Sequence, residues 1–141
     1  MRAVRKPNDS HMITRRIFFV TSIAATLAAN TGANAANSQA FEVASFAEAQ
    51  RSGKSVLVAI YARWCPVCFV QRTILSVLLH DAKYRDLTYM IVDFDNQKPF
   101  VRYFHAQAQS TLIVFKSGAE RGRSVGETNT GSISELLDRI N

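Results

Sequence analysis

Val56-Leu57-Val58-Ala59-Ile60 runs through Tyr61 into Ala62-Arg63-Trp64-Cys65-Pro66-Val67-Cys68, a stretch that holds both cysteines and the one tryptophan of the chain. The continuous aliphatic and β-branched run at 56–60 predicts a strand buried on both faces. A helical pattern begins at Pro66 and continues to about Leu79. The strand thus delivers two thiols to a helix start. The unpaired N–H groups of a helix's first turn, and its dipole, stabilise an anion and lower the pKa of a thiol placed there. Cys65 is therefore the candidate nucleophile. Cys68, three residues on and almost one helical turn away, can attack a mixed disulfide formed at Cys65 and release the partner. Pro66 suits the first helical position, where no N–H is needed.

The formal charge of +6 is concentrated at the N-terminus. Arg2, Arg5, Lys6, Arg15 and Arg16 against Asp9 precede residue 36, which leaves 12 basic and 10 acidic residues in the remainder. Those residues are scattered rather than gathered on one stripe, so nothing marks a nucleic-acid footprint. Residues 1–35 have the form of a signal peptide: a basic start, the apolar run Ile17 to Ala29, and Ala33-Asn34-Ala35 as a small-residue cleavage site before Ala36. The run is short and rich in Ala and Thr for a bilayer span. Thr14-Arg15-Arg16-Ile17-Phe18-Phe19 also follows the pattern of twin-arginine export signals, and Met12 offers an alternative start. Whether this segment is cleaved or kept as an anchor, the globular part is expected in a periplasmic or other extracytoplasmic compartment.

Residues 36–141 suffice for one domain with a modest core. Phe41-Glu42-Val43 is expected as a short edge strand, and Ser45 with Glu48 as the capping box of a short helix ending near Gly53. After the cysteines, Val70, Ile74, Val77 and Leu78 recur at helical spacing and suggest a buried stripe, broadened by Phe69, Leu75 and Leu79, with Gln71 and Arg72 on another face. Phe69, beside Cys68, is the member of this helix expected to be exposed for docking. Tyr89 to Val92 and Thr111 to Phe115 are further buried-type strands, separated by a short helix at Pro99 to Phe104. Lys116-Ser117-Gly118 turns the chain into a weak antiparallel edge strand near Arg123 to Val125. Ser132 and Glu135 suggest a second capping box, ahead of an amphipathic helix carrying Ile133, Leu136, Leu137 and Ile140.

The resulting order, β-α-β-α-β-α-β-β-α with a C-x-x-C between the second strand and second helix, resembles the thioredoxin fold. The resemblance rests on Ala62-Arg63-Trp64-Cys65-Pro66-Val67-Cys68, on Val92-Asp93-Phe94-Asp95-Asn96, on Thr111-Leu112-Ile113-Val114-Phe115-Lys116-Ser117-Gly118, and on Val125-Gly126. It implies an α/β thioredoxin-like domain over residues 36–141: a central mixed sheet with helices on both faces. Three departures stand beside it. The buried Asp six residues before the first cysteine is Ala59, and its lysine neighbour on the next strand is Ile91. The family's cis-proline aligns with Ser110. A cis bond before serine costs about 2.5–4 kcal/mol, so the loop facing the thiols is expected to differ from thioredoxin's, and Ser110→Pro to raise activity on protein disulfides where the loop accepts it.

By resemblance the chain is an extracytoplasmic thiol–disulfide oxidoreductase that exchanges disulfides with partner proteins through Cys65 and Cys68. Trp64 and Pro66 shape the site, and Gln109, Ser110 and Thr111 line the opposite side, where a substrate strand would lie. The electrons reside in the dithiol, so no cofactor is expected. The expected partners are protein thiols and disulfides, with a membrane or soluble electron-transfer protein to recharge a monomer. Two other readings stay open: a redox-inert protein that uses the same groove for binding, and a dimer sharing an iron–sulfur cluster through four thiolates. Structural zinc is disfavoured because four ligands are wanted, and this part of the chain offers two cysteines with the separated His80 and His105. Asp93 and Asp95 read as strand-end and turn residues rather than as a catalytic carboxylate pair.

Overall fold

The computed structural model describes residues 38–141; the signal-peptide reading of residues 1–35 lies outside them. The elements follow the order β1 (Gln39–Ala40), α1 (Val43–Arg51), β2 (Ser55–Tyr61), α2 (Pro66–Leu78), a 3₁₀ turn (Ala82–Tyr84), β3 (Thr88–Asp93), α3 (Lys98–Tyr103), β4 (Thr111–Lys116), β5 (Ala119–Val125) and α4 (Thr130–Asp138). The strands form one mixed sheet in the order β1-β3-β2-β4-β5. β1 and β2 run parallel to β3, while β4 is antiparallel to β2 and to β5. The run at 56–60 is fully buried, as its composition requires of a central strand.

Alternation along β2 divides the core in two. Leu57 and Ala59 face a layer made with Leu75 and Leu79 at the end of α2 and with Ile133, Leu136 and Leu137 of α4. Val56, Val58 and Ile60 face the other layer, made with Phe46 and Ala49 of α1, Val101 of α3, and Phe41, Phe104 and Phe115. The rings of this second layer meet edge-on: Phe104 lies 5.2 Å from Phe41 at 86° and 5.4 Å from Phe46 at 89°. Such geometry aligns positive ring edges with negative faces. Ala59 and Ile91 are register partners on neighbouring strands, and both pack in the first layer. The two charges missing from the family pattern are therefore replaced together by apolar contact.

Several boundaries differ from those the sequence suggests. The first strand is Gln39–Ala40 rather than Phe41–Val43, and α1 already starts at Val43. Phe41 is driven into the aromatic layer, with its N–H donating to Ile91 O at 2.8 Å, and this anchor turns the chain into the helix two residues before Ser45. Glu42 occupies the N-cap without a side-chain cap bond, so Ser45 and Glu48 form no capping box. At α4 the cap is Asn129, whose Oδ1 accepts the Ser132 N–H at 3.1 Å. The serine of the expected Ser132/Glu135 box is thus the donor, three residues inside. The edge strand β5 is longer than Arg123 to Val125, because pairing with β4 extends it back to Ala119.

The largest correction concerns α2. Leu75 and Leu79 of the expected stripe are buried and Ile74 and Leu78 pack partly against the core, but Cys68 and Gln71 also face inward, while Val70 and Val77 are exposed, Val77 by 70%. With Cys65 fixed as the N-cap, successive 3.6-residue steps from Cys68 determine the inner face and leave Val70 and Val77 opposite it. Phe69 is exposed, as expected.

Candidate active site

The strand end at Tyr61 and the start of α2 create the site. Cys65 sits at the N-cap with extended backbone, Pro66 follows at the first helical position, and the Cys65 sulfur accepts the Cys68 N–H at 3.2 Å. A thiolate there receives one of the donors that every helix start leaves unpaired. Both cysteines are free thiols and both are buried, in a small apolar nest with Ala62 flanked by Tyr61, Val67 and Phe94.

The two thiols differ electrostatically. Burial pushes the Cys65 thiol up, but hydrogen bonds from the Cys68 side chain, the Ser110 hydroxyl and the N–H groups of Cys68 and Val67 outweigh it and bring the thiol below its ordinary range. Cys68 moves the other way. Burial raises its thiol, and its hydrogen bond to Cys65 raises it further by favouring the protonated form. Of the two, Cys65 is therefore the more readily ionised thiol, and Cys68 the one held protonated beside it.

Ser110 faces this pair from the entry to β4. Its hydroxyl lies 3.4 Å from Cys65 Sγ, and its backbone has φ +59°. A left-handed residue other than glycine costs roughly 1–2 kcal/mol and persists only where its surroundings fix it. Here the Ser110 N–H donates to Ile60 O at 2.8 Å, while its carbonyl accepts from Gly126 N at 2.9 Å and from Gln71 Nε2 at 3.0 Å. This overturns the expected benefit of Ser110→Pro: proline can neither adopt φ +59° nor donate to Ile60 O.

The other residues named from the sequence take different places around the thiols. Trp64 is 61% exposed and its indole N–H donates to Asp95 Oδ2 at 2.8 Å, which ties the ring to the turn after β3. Pro66 is exposed at the helix start. Gln109 is half-buried, whereas Thr111 is buried with its hydroxyl donating to Ala108 O at 2.7 Å. Among the described residues no three His, Cys, Asp or Glu side chains converge as a metal site.

Two contributors to the site were not legible as such. Asp95 holds Trp64, and Asp93 caps the same turn by accepting the N–H groups of Asp95 and Asn96 at 2.9 Å. Gln71 is the second. It is buried on the inner face of α2, and its Nε2 reaches both Ser110 O and Glu127 O, the latter at 2.9 Å. A polar residue among helical apolar ones signals little until the helix phase is known.

Set beside known proteins, residues 37–139 match the family model described as Thioredoxin. A thioredoxin of Chlamydia muridarum is 33% identical over 94 residues, covering 67% of this chain and 89% of that protein. A thioredoxin of Mycobacterium bovis is 36% identical over 98 residues, covering 69% and 84%. Among solved structures, Trxlp from Edwardsiella tarda EIB202 superposes with a TM-score of 0.70 at 42% identity, covering 72% of this chain and 98% of its own.

Proposed function

Since this chain belongs to the thioredoxin family, and is a thiol–disulfide oxidoreductase with it, we propose that it exchanges disulfides with partner proteins in an extracytoplasmic compartment. The observation that carries the exchange is the unequal thiol pair: a buried, hydrogen-bonded Cys65 at the helix start, with Cys68 donating to it. The compartment reading is supported by the sequence of residues 1–35, with Arg15-Arg16, the apolar run and Ala33-Asn34-Ala35.

The steps follow from the geometry. The Cys65 thiolate attacks one sulfur of a partner disulfide, forming a mixed disulfide and expelling the other partner sulfur as a thiolate. With its charge gone, Cys65 no longer favours the protonated form of Cys68. Cys68 then loses its proton and attacks the Cys65 sulfur, closing the Cys65–Cys68 disulfide and releasing the second partner sulfur. Two electrons have passed to the partner, which leaves as one thiol and one thiolate and takes its second proton from water. Ala59 offers no carboxylate to accept the Cys68 proton, so the partner's first expelled thiolate, with an ordinary thiol's basicity, serves as the base. A membrane or soluble electron donor would restore the dithiol if the cycle runs reductively.

Reduction of insulin disulfides by the full chain with a dithiol donor tests the exchange. Catalysis by the wild type, none by Cys65→Ser, and covalent capture of partner proteins by Cys68→Ser are the expected results. An unreactive Cys65 in the wild type would overturn the reading. N-terminal sequencing of the exported protein tests the compartment: a start at Ala36 is expected, and a cytoplasmic protein beginning at Met1 or Met12 would contradict it.

A further inference from the structure

A serine at φ +59° beside the nucleophile needs an external lock. Proline carries its own constraint in its ring, whereas Ser110 is held by its surroundings. Two of its three backbone hydrogen bonds come from neighbouring main chain, at Ile60 O and Gly126 N, and these follow from strand pairing. The third comes from a side chain, Gln71 Nε2, which sits one helical turn beyond Cys68 on the same buried face of α2. The same amide donates to Glu127 O, just past the left-handed Gly126, so it bridges the entry to β4 and the exit from β5. Nothing in the strand pairing requires a glutamine there. A methionine or leucine would fill the volume without taking an amide out of water.

We propose that Gln71 is the positioning residue of the thiol site: its amide clamps the Ser110 carbonyl to the helix that carries both cysteines, aims the serine hydroxyl at Cys65 Sγ, and so sets the reactivity of Cys65. The proposal rests on the thiol-exchange reading above and adds to it a residue that holds one of the nucleophile's hydrogen-bond donors in place. Gln71 touches neither sulfur within hydrogen-bonding distance; its two partners are both backbone carbonyls. Its action passes through Ser110. When Cys65 is a thiolate the hydroxyl 3.4 Å away is the donor, and a hydrogen bond to a charged group is worth more than a neutral one. Releasing the Ser110 carbonyl from Gln71 lets the loop relax from the left-handed conformation and withdraws that donor.

The test is the rate of Cys65 alkylation across pH in the reduced full chain, for the wild type, Gln71→Met, Ser110→Ala and the double variant. Methionine conserves the volume and shape while removing both N–H donors. Gln71→Met is expected to lower the alkylation rate at neutral pH about tenfold, the effect of losing one hydrogen bond to a charged group, and to move the pH midpoint upward. Ser110→Ala should do the same, and the double variant should be no slower than the slower single one, because both changes break one chain of contacts. A purely structural role for Gln71 would lower stability and leave the pH midpoint unmoved. Wild-type alkylation kinetics in Gln71→Met, or an undiminished effect of Gln71→Met in the Ser110→Ala background, would overturn the proposal. Gln71→Leu carries the same test if Gln71→Met does not fold. A slow, unactivated Cys65 in the wild type would instead contradict thiol exchange itself, so the two failures are distinguishable.

Discussion

The two faces of the central sheet each carry a packed core, yet only one of them also leads to the thiols. On the α1/α3 face, five phenylalanines, Phe41, Phe46, Phe100, Phe104 and Phe115, close over Val56, Val58 and Ile60 with aromatic contacts throughout. On the α2/α4 face the layer admits Gln71 and ends at two thiols and a left-handed serine. Chemistry is thus separated from the aromatic face and confined to one end of the other. The α2/α4 layer accommodates the Gln71 amide because it donates to two carbonyls.

That separation can be broken at defined positions. The largest effect is expected at Cys65: Cys65→Ser should abolish disulfide exchange while leaving the thermal midpoint close to that of the reduced wild type, as insulin reduction and calorimetry would show. Phe104→Ala should do the reverse. Removing a ring that touches Phe41, Phe46 and Phe115 is expected to cost about 3–5 kcal/mol in urea unfolding, with activity per folded molecule unchanged. Ser110→Pro should blur the division, losing about 3 kcal/mol of stability together with reactivity, because a ring-locked φ and a missing N–H act where backbone and chemistry meet. The smallest effect is expected on the outward side of α2: Val77→Ser, at a position 70% exposed, should change stability by no more than about 0.5 kcal/mol.

The fold was legible in the sequence because its main signals are local and redundant. The buried run at 56–60, the cysteine motif and the Thr111–Phe115 strand with its following turn each locate one element, and their order leaves little freedom in topology. Helix boundaries were less legible, since Ser45 and Ser132 have capping chemistry but Phe41 and Asn129 determine where the turns begin. The phase of α2 was hidden for a different reason. Apolar residues occupy both of its faces, so periodicity alone could not decide between Val70 with Val77 and Cys68 with Leu75. The buried glutamine was lost with the phase. Ser110 was visible as a departure from the family pattern, but its left-handed backbone was not, because three contacts distant in sequence impose it.

The unequal thiol pair is tested most directly by site-resolved alkylation of the reduced full chain as a function of pH, with each cysteine quantified by mass spectrometry. Hydrogen bonds hold the Cys65 thiol below its ordinary range, so its labelling should persist as pH falls past the ordinary thiol value of about 8.5 and fade only through its own lower pKa. Burial and the bond to Cys65 raise the Cys68 thiol, so its labelling should begin only above that value and stay slower throughout. Two cysteines labelled at the same rate, with a shared midpoint at or above the ordinary value, would contradict the account.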